Sequence, residues 1–190
     1  MHIEVVTAVA AEPITLSEAK AHLRVDGSAD DAYITALITI ARQAAEHEAQ
    51  RSFAAQTLRI RASEWGDGIP LPRGPVNAVS HVRYQDSSNT QQTLATAAYY
   101  LDRSMLEPVV RVAYGYTWPS LHPRSDVIEV QYTAGTWQTA AGVESPRAAL
   151  QYMLLLIGAM FENRELDAER AVVRLQFADR LLDAYRVHGL

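Results

Sequence analysis

Six histidines are the side chains of this sequence best suited to binding a metal or to moving protons. They are His2, His22, His47, His81, His122 and His188. No two of them form the His-x-x-x-His pair that would place two imidazoles on one helix face, which argues against a metal site of the metalloprotease kind. His47 and Glu48 are neighbours on a predicted helix surface, and solvated side chains explain them more simply than a catalytic base does.

Two pairs of carboxylates have spacings that suit a divalent cation. Asp30 and Asp31 stand at the start of a predicted helix, where acids interact favourably with the positive end of the helix dipole, so helix capping is the simpler interpretation. Glu162 and Glu165 lie three residues apart at the end of another predicted helix. Arg164 stands between them, and this favours local ion pairs over a cation site.

Motifs for nucleophilic catalysis and phosphate binding are also missing. The Gly66-Asp67-Gly68 turn leads to Pro70 and not into a helix that would hold a phosphate, and no Gly-x-Ser-x-Gly motif is present. The chain has no cysteine, which excludes thiol catalysis, disulfide frameworks and zinc ribbons. The sequence therefore predicts no enzyme activity, no catalytic residue, no metal site and no cofactor.

Composition describes an ordinary globular protein of one domain. The chain has 190 residues, of which 48% are hydrophobic and 21% charged, and its formal net charge is −5. The first 50 residues hold 8 acids and 3 bases, so the acidic excess lies there. Sixteen of the 17 bases are arginine, which is interpreted as codon preference, and Lys20 is the sole lysine.

The sequence shows no signal-peptide pattern. Its most hydrophobic stretch, residues 148–161, is shorter than the ~20 residues of a membrane helix. The sequence therefore favours a soluble protein without a membrane partner.

Two helices are predicted within residues 13–52. Thr15 or Ser17 caps the first, with Glu18 at capping-box distance from Thr15, and this helix ends near Gly27. The second starts at Ser28–Asp31 and continues to about Arg51. Its apolar positions are three and four residues apart, as one buried helix face requires; they are Ile34, Leu37, Ile38, Ala41, Ala44 and Ala45.

Residues 56–134 are predicted to form a small antiparallel β module. Alternating apolar and polar residues predict strands, and prolines and glycines separate them. The predicted strands are residues 57–62, 69–72 (at a sheet edge), 79–84, 99–101, 109–112 and 127–132. Trp65, Trp118 and Trp137 are expected to pack on this sheet instead of stacking on nucleic-acid bases.

Residues 145–190 are predicted to be helical. The first of these helices is predicted to have Ser145 as its N-cap and Pro146 as its first helical residue. It is apolar on almost every face through Phe161, so it must be buried by its own domain or by a neighbouring subunit, and the second is plausible in a chain with few other helices. The residues predicted to pack between subunits are Leu150, Met153, Leu154, Ile157, Phe161 and Arg164. A last helix from about Gln176 has too narrow an apolar stripe to be stable alone, so it is predicted to dock on a partner. Its predicted contact residues are Phe177, Leu181, Leu182, Tyr185 and Arg186.

In the order of its motifs, the sequence resembles the head-to-tail connector (adaptor) proteins of tailed bacteriophages and gene transfer agents. The matching blocks are TLSEAKAHLRVD from residue 15, the acidic start at residues 30–31 with YI-x-x-LI-x-x-AR from residue 33, QT at 56–57, LP-x-x-PV-x-x-V from 71, YTAG from 132, the helix after Pro146 closed by ENRE at 162–165, and LL-x-x-YR from 181. The segment Asp167–Arg170 departs from the pattern because it is more charged.

The resemblance implies a non-enzymatic subunit, found in the virion neck and in the host cytoplasm during assembly. Such subunits form a ring of self-copies, usually a dodecamer, beneath the portal protein. The ring presents a docking surface to the next neck or tail component, a stopper or tail terminator. DNA passes through the channel without specific binding, so we expect no appreciable duplex binding by the free protein at physiological salt.

The sequence thus predicts an α+β fold in which N-terminal and C-terminal helices pack together around an inserted antiparallel β module, as one connector domain over residues 1–190. Its predicted function is that of a structural head-to-tail connector. Two alternatives remain at this point. One is another neck or tail-completion ring protein; the other, of a different class, is a prophage-encoded accessory domain that binds a ligand or acts as an enzyme.

Overall fold

The computed structural model describes residues 2–105, 107–135, 146–163 and 180–187. The chain divides into two compact units, a β unit of residues 1–10 and 55–135 and a helical unit of residues 11–54 and 136–190. The α+β class is confirmed, and so is the packing of N-terminal on C-terminal helices. That residues 1–190 act as one connector domain stays a prediction.

The helical unit contains α1 (Leu16–Leu23), α2 (Asp31–Ala49), α3 (Arg147–Glu162) and a 3-10 helix (Arg180–Tyr185). The capping box predicted at the start of α1 is present, because the Thr15 N–H donates to Glu18 (2.8 Å) and the Glu18 N–H donates to Thr15 Oγ1 (3.2 Å). Arg24 ends α1 in the left-handed conformation (φ 57°). The core lies where the apolar stripe of α2 meets α3, as the spacing of the stripe predicts.

Lys20, the sole lysine, bonds to residues of the turn between α1 and α2. Its ammonium donates to the carbonyl oxygen of Gly27 and lies 2.6 Å from a carboxylate oxygen of Asp31, the first residue of α2. A short cation with three donors can satisfy both acceptors at once. The residue therefore fixes the turn between the two helices.

Within its described residues the β unit contains eight strands in two antiparallel sheets. The strands are β1 (His2–Thr7), β2 (Gln56–Ala62), β3 (Ile69–Pro70), β4 (Val76–Gln85), β5 (Gln91–Thr93), β6 (Tyr99–Asp102), β7 (Val109–Val112) and β8 (Ile128–Ala134). One sheet has the order β1-β2-β8-β4-β5 and the other the order β3-β7-β6, so the proline-containing β3 lies at an edge as predicted.

Side chains from both sheets form one core within the β unit. Leu58, Ile60 and Tyr132 of the larger sheet and Val110 of the smaller sheet are completely buried in it. Burial raises the pKa of the Tyr132 hydroxyl, which donates to the carbonyl of Pro72 at 2.7 Å.

The tryptophans behave as the sequence predicts where the structure describes them. Trp65 stacks on Trp118 with ring centroids 4.5 Å apart, and its indole N–H donates to the Pro119 carbonyl at 2.9 Å. Trp137 lies outside the described residues.

Several features differ from the sequence-based expectations, among them the short strand β5, which was not predicted. The strand β1 was not predicted, and it pairs antiparallel with β2, placing Glu4 opposite Arg59. The helix α3 begins at Arg147, so Pro146 is its N-cap and not its first helical residue. Pro146 suits either place, because it fixes its own φ and has no N–H to lose at a helix start.

Candidate interaction surfaces

The helix α3 uses one face for the core of its own unit. Met153 and Ile157, predicted to contact a neighbouring subunit, are buried there against α2. Leu150, Leu154 and Phe161 are half-buried and retain exposed apolar surface. Arg164 lies outside the described residues. Of the predicted packing residues that the structure describes, Leu150, Leu154 and Phe161 are the ones that stay partly exposed.

The C-terminal 3-10 helix docks on its own helical unit. Leu182 is completely buried in the core, so its side chain has no surface to offer a partner. Leu181 and Tyr185 are half-buried around it. Phe177 lies outside the described residues.

Two further bonds fix the end of this segment. The Arg186 guanidinium donates to Glu48 of α2 and, at 2.9 Å, to Asp183. The Val187 N–H donates to the Ala49 carbonyl at 3.1 Å. The predicted docking segment is therefore anchored by its own subunit before it meets any partner.

A buried ionic cluster lies at the C-terminal half of α2, and sequence reasoning missed it. Arg42 donates to Glu46, one turn later, at 2.7 Å and to Glu12 at 2.7 Å. The other oxygen of Glu46 accepts the N–H groups of Phe53 at 2.8 Å and of Ala54 at 3.1 Å. The cluster thus ties both connecting segments of the helical unit, at residues 12 and 53–54, to α2. The signal in the sequence was the i,i+4 spacing of an arginine and a glutamate inside an apolar stripe.

A second charged cluster covers the outer face of the five-stranded sheet. Alternation along the strands turns every second residue outward, and Glu129 of β8 lies between β2 and β4 on this face. Its carboxylate lies 3.5 Å from guanidinium nitrogens of Arg59 and of Arg61, and 4.0 Å from Arg83. Arg59 also makes two hydrogen bonds to Glu4, at 2.8 and 3.1 Å, which hold the pKa of that carboxyl below its ordinary value.

Exposed aromatic side chains lie on and after the β6–β7 hairpin. Tyr114 is fully exposed beside Gly115, and Tyr100 and Tyr116 are half-exposed. On the same hairpin, hydrogen bonds from Ser104 and Arg111 lower the pKa of Asp102 to about 2, each with an Asp102 oxygen within 2.9 Å. Exposed tyrosines are typical of protein interfaces.

The described residues include no group of three or more His, Cys, Asp or Glu side chains placed to hold a metal ion. In the same part of the chain no helix is long and apolar enough to cross a membrane. An open hollow of about 870 Å³ lies beside α1, and Lys20 on its wall is already engaged with Gly27 and Asp31.

Comparison with known families decides among the interpretations left open by the sequence. Residues 13–116, which include α1, α2 and strands β2 to β7, match the family model described as phage gp6-like head-tail connector protein. The chain belongs to this family. The resemblance drawn from the sequence motifs is confirmed, and the connector is a structural protein that joins head to tail.

Solved structures match this connector over its whole length. One of them comes from the neck of an empty gene transfer agent particle computed with C6 symmetry. It is 24% identical in sequence with a TM-score of 0.81, and the match covers 100% of this chain and 97% of that chain. A chain from the virion of a native gene transfer agent particle is 25% identical, with a TM-score of 0.79 and the same coverage. A third comes from the neck of a native gene transfer agent particle computed with C12 symmetry. It is 24% identical with a TM-score of 0.75, and the match again covers 100% of this chain and 97% of that chain. No curated protein matches the sequence.

Proposed function

We propose that the connector is a non-enzymatic ring subunit in the neck of a tailed phage or gene transfer agent, with twelve copies to the ring. The single observation that supports this best is the whole-chain likeness to proteins of gene transfer agent necks with C6 and C12 symmetry. The same likeness supports the virion neck as its location, after assembly in the host cytoplasm. In this proposal the chain acts by binding to other proteins of the particle, and it has no membrane partner.

In this proposal the C-terminal segment docks on the portal protein. Leu181 and Tyr185 remain partly exposed while Leu182 anchors the segment in the core. Arg186, already paired with Glu48 and Asp183, orders the end of the segment beside them. A pre-ordered segment loses less conformational entropy on binding than a free tail would. Phe177 extends the same predicted contact.

The exposed part of α3 supplies the contact between neighbouring copies. Leu150, Leu154 and Phe161 keep apolar surface outside the core of the helical unit. A ring needs two different patches that meet head to tail, so this surface must face another part of the next copy. The rim of the ring opposite the portal presents its surface to the stopper or tail terminator. Packaged DNA passes through the channel without sequence-specific binding.

The decisive experiment measures mass by light scattering for the free chain and for the chain mixed with its portal protein. We expect the chain to form a higher-order complex when the portal is present. A chain that stays monomeric in both samples would overturn the connector ring.

Two serine variants then test the docking segment. Leu181→Ser is expected to abolish capture by the portal in a pull-down. Leu23→Ser is the matched control, because Leu23 is likewise half-buried on the same core but lies on α1. Both variants lose similar apolar packing, so equal loss of portal binding would mean that destabilisation, and not docking, explains the effect.

A further inference from the structure

A shallow hollow of about 190 Å³ on the outer face of the five-stranded sheet is bordered by three arginines. Arg61 comes from β2, Arg83 from β4 and Arg124 from the loop before β8. The register brings the first two together, since both lie opposite Glu129 of β8. These side chains thus come from segments far apart in the sequence.

Arg61 and Arg83 are incompletely paired within the described residues. Their guanidinium nitrogens lie 3.5 and 4.0 Å from the Glu129 carboxylate, whereas charge-assisted hydrogen bonds are typically ~2.7–2.9 Å long. The side chains of Arg61 and Arg83 are 45% and 43% exposed, while that of Glu129 is 15% exposed. Each guanidinium has five donors, so most of them point to solvent and remain available to an added acceptor.

The charge around the hollow indicates which acceptor fits. Three arginines face the carboxylates of Asp126 and Glu129, which leaves a net charge of +1. A phosphodiester carries one negative charge, whereas a phosphomonoester carries about −1.5 to −2 at neutral pH. The planar fork of arginine also matches two oxygens of a phosphate group.

We propose that this hollow binds one phosphodiester group of a DNA backbone. The choice of DNA over other phosphodiesters rests on the proposed function, in which the ring surrounds the path of packaged DNA. One contact per subunit carries no sequence information, because every DNA sequence has the same backbone. Twelve weak contacts would hold the duplex in the channel while letting it move.

A single phosphate contact also predicts a particular dependence on salt. Log affinity for a duplex falls with log salt with a slope of roughly −0.9 for each phosphate contacted. The free subunit should therefore bind duplex weakly at 20 mM salt and roughly sixfold more weakly at 150 mM salt. This agrees with the expectation from the sequence that the free protein shows no mobility shift under physiological conditions.

The test is fluorescence anisotropy of a labelled 20-base-pair duplex with the full chain at 20 and 150 mM salt. Arg61→Gln and Arg83→Gln should each weaken binding about tenfold at low salt, as the loss of a charge-assisted bond predicts. Arg103→Gln is the matched control on the same unit, because this exposed arginine donates to the Asn77 carbonyl, away from the hollow, and should change affinity less than twofold.

Glu129→Gln supplies a test of opposite sign. It removes a negative charge from the rim of the hollow, so duplex binding should become tighter although the ion pairs on the sheet are lost. A merely structural role for the cluster predicts the reverse, since losing Glu129 would then loosen the sheet and weaken any binding. Unchanged binding in both arginine variants, or weaker binding in Glu129→Gln, would overturn the proposal.

Two further measurements distinguish DNA from a lipid headgroup or a free phosphate as the ligand of the hollow. Vesicles of phosphatidylglycerol present the same group on a lipid, and inorganic phosphate serves as a free competitor. Arginine variants that lose vesicle binding but keep duplex binding would refute DNA as the ligand. Light scattering with the portal should be unaffected by these variants, so a failure of this site is distinguishable from a failure of the connector ring. Loss of ring assembly in Arg61→Gln would instead mean a protein contact, and would also refute it.

Discussion

Replacing Arg42 by methionine tests whether the buried ionic cluster of α2 stabilises the helical unit. Arg42 is 7% exposed and Glu46 is 4% exposed, so neither charge has water to replace its partner. Methionine keeps an unbranched apolar stem like that of arginine but lacks the guanidinium group and offers no donor. The substitution therefore leaves the carboxylate of Glu46 without its only charged partner among the described residues.

The expected loss follows from what remains around Glu46. Breaking a buried ion pair from one side costs about 3–5 kcal/mol. Glu46 keeps the two N–H donors of Phe53 and Ala54, and Glu12 is 26% exposed and can be hydrated. The loss should thus lie near the lower end, about 3 kcal/mol, out of a total stability of roughly 5–15 kcal/mol. For a chain of this size that lowers the melting temperature by about 6–12 °C.

Urea unfolding followed by far-ultraviolet circular dichroism measures this loss, with Arg59→Met as the control. Arg59 pairs with Glu4 on the exposed sheet face, where water and salt screen the pair, so its loss should change the free energy of unfolding far less. The double variant Arg42→Met with Glu46→Gln should cost less than the sum of the two single losses, because both break one interaction. A loss below about 1 kcal/mol for Arg42→Met, or fully additive losses, would refute the reasoning.

Three other predictions concern single positions. Leu182→Ala should cost about 2–5 kcal/mol in urea unfolding because its side chain is fully buried, whereas Leu181→Ala should cost clearly less; equal costs would contradict the anchoring role. Gly68→Ala should destabilise by about 1–3 kcal/mol, since φ is 143° and a Cβ would lie 2.8 Å from a backbone oxygen of β7, while Gly115→Ala, with open space around it, should cost at most ~1 kcal/mol in the same assay. Asp102→Asn should destabilise the β unit above pH 4 but not near pH 2. The pKa of Asp102 is lowered to about 2, so the stabilisation by its carboxylate is lost as pH falls through about 2. A constant difference in unfolding midpoint from pH 5 to 2 would contradict this.

The features predicted correctly from the sequence are those whose cause is local. A capping box needs only Thr15 and Glu18, and the stripe of α2 needs only its own spacing, so both were found without knowledge of the fold. Alternation likewise located the strands of the β unit other than β1 and the short β5. The strand β1 escaped because its residues are nearly all exposed, and because its partner β2 follows some fifty residues later in the chain.

The surfaces depend on contacts between distant residues, and this is why they could be predicted only in part from the sequence. An apolar pattern showed that α3 and the last segment must be covered, but it could not distinguish the subunit's own core from a partner. The structure places Leu182, Met153 and Ile157 in that core. It leaves Leu150, Leu154, Phe161, Leu181 and Tyr185 partly exposed. The arginine hollow was likewise invisible, since strand register alone brings Arg61 and Arg83 together.

The engagement of Lys20 has a practical consequence for chemical labelling. It is the sole lysine, and its amine is held by the Gly27 carbonyl and by Asp31 across the turn between α1 and α2. The Lys20 side chain is only 20% exposed, so an acylating reagent should modify its amine slowly while the turn stays closed. The acylation rate at Lys20 is thus a native reporter on the α1–α2 turn, readable by mass spectrometry without introducing a probe. Comparing that rate before and after portal binding would show whether assembly tightens or opens this part of the connector.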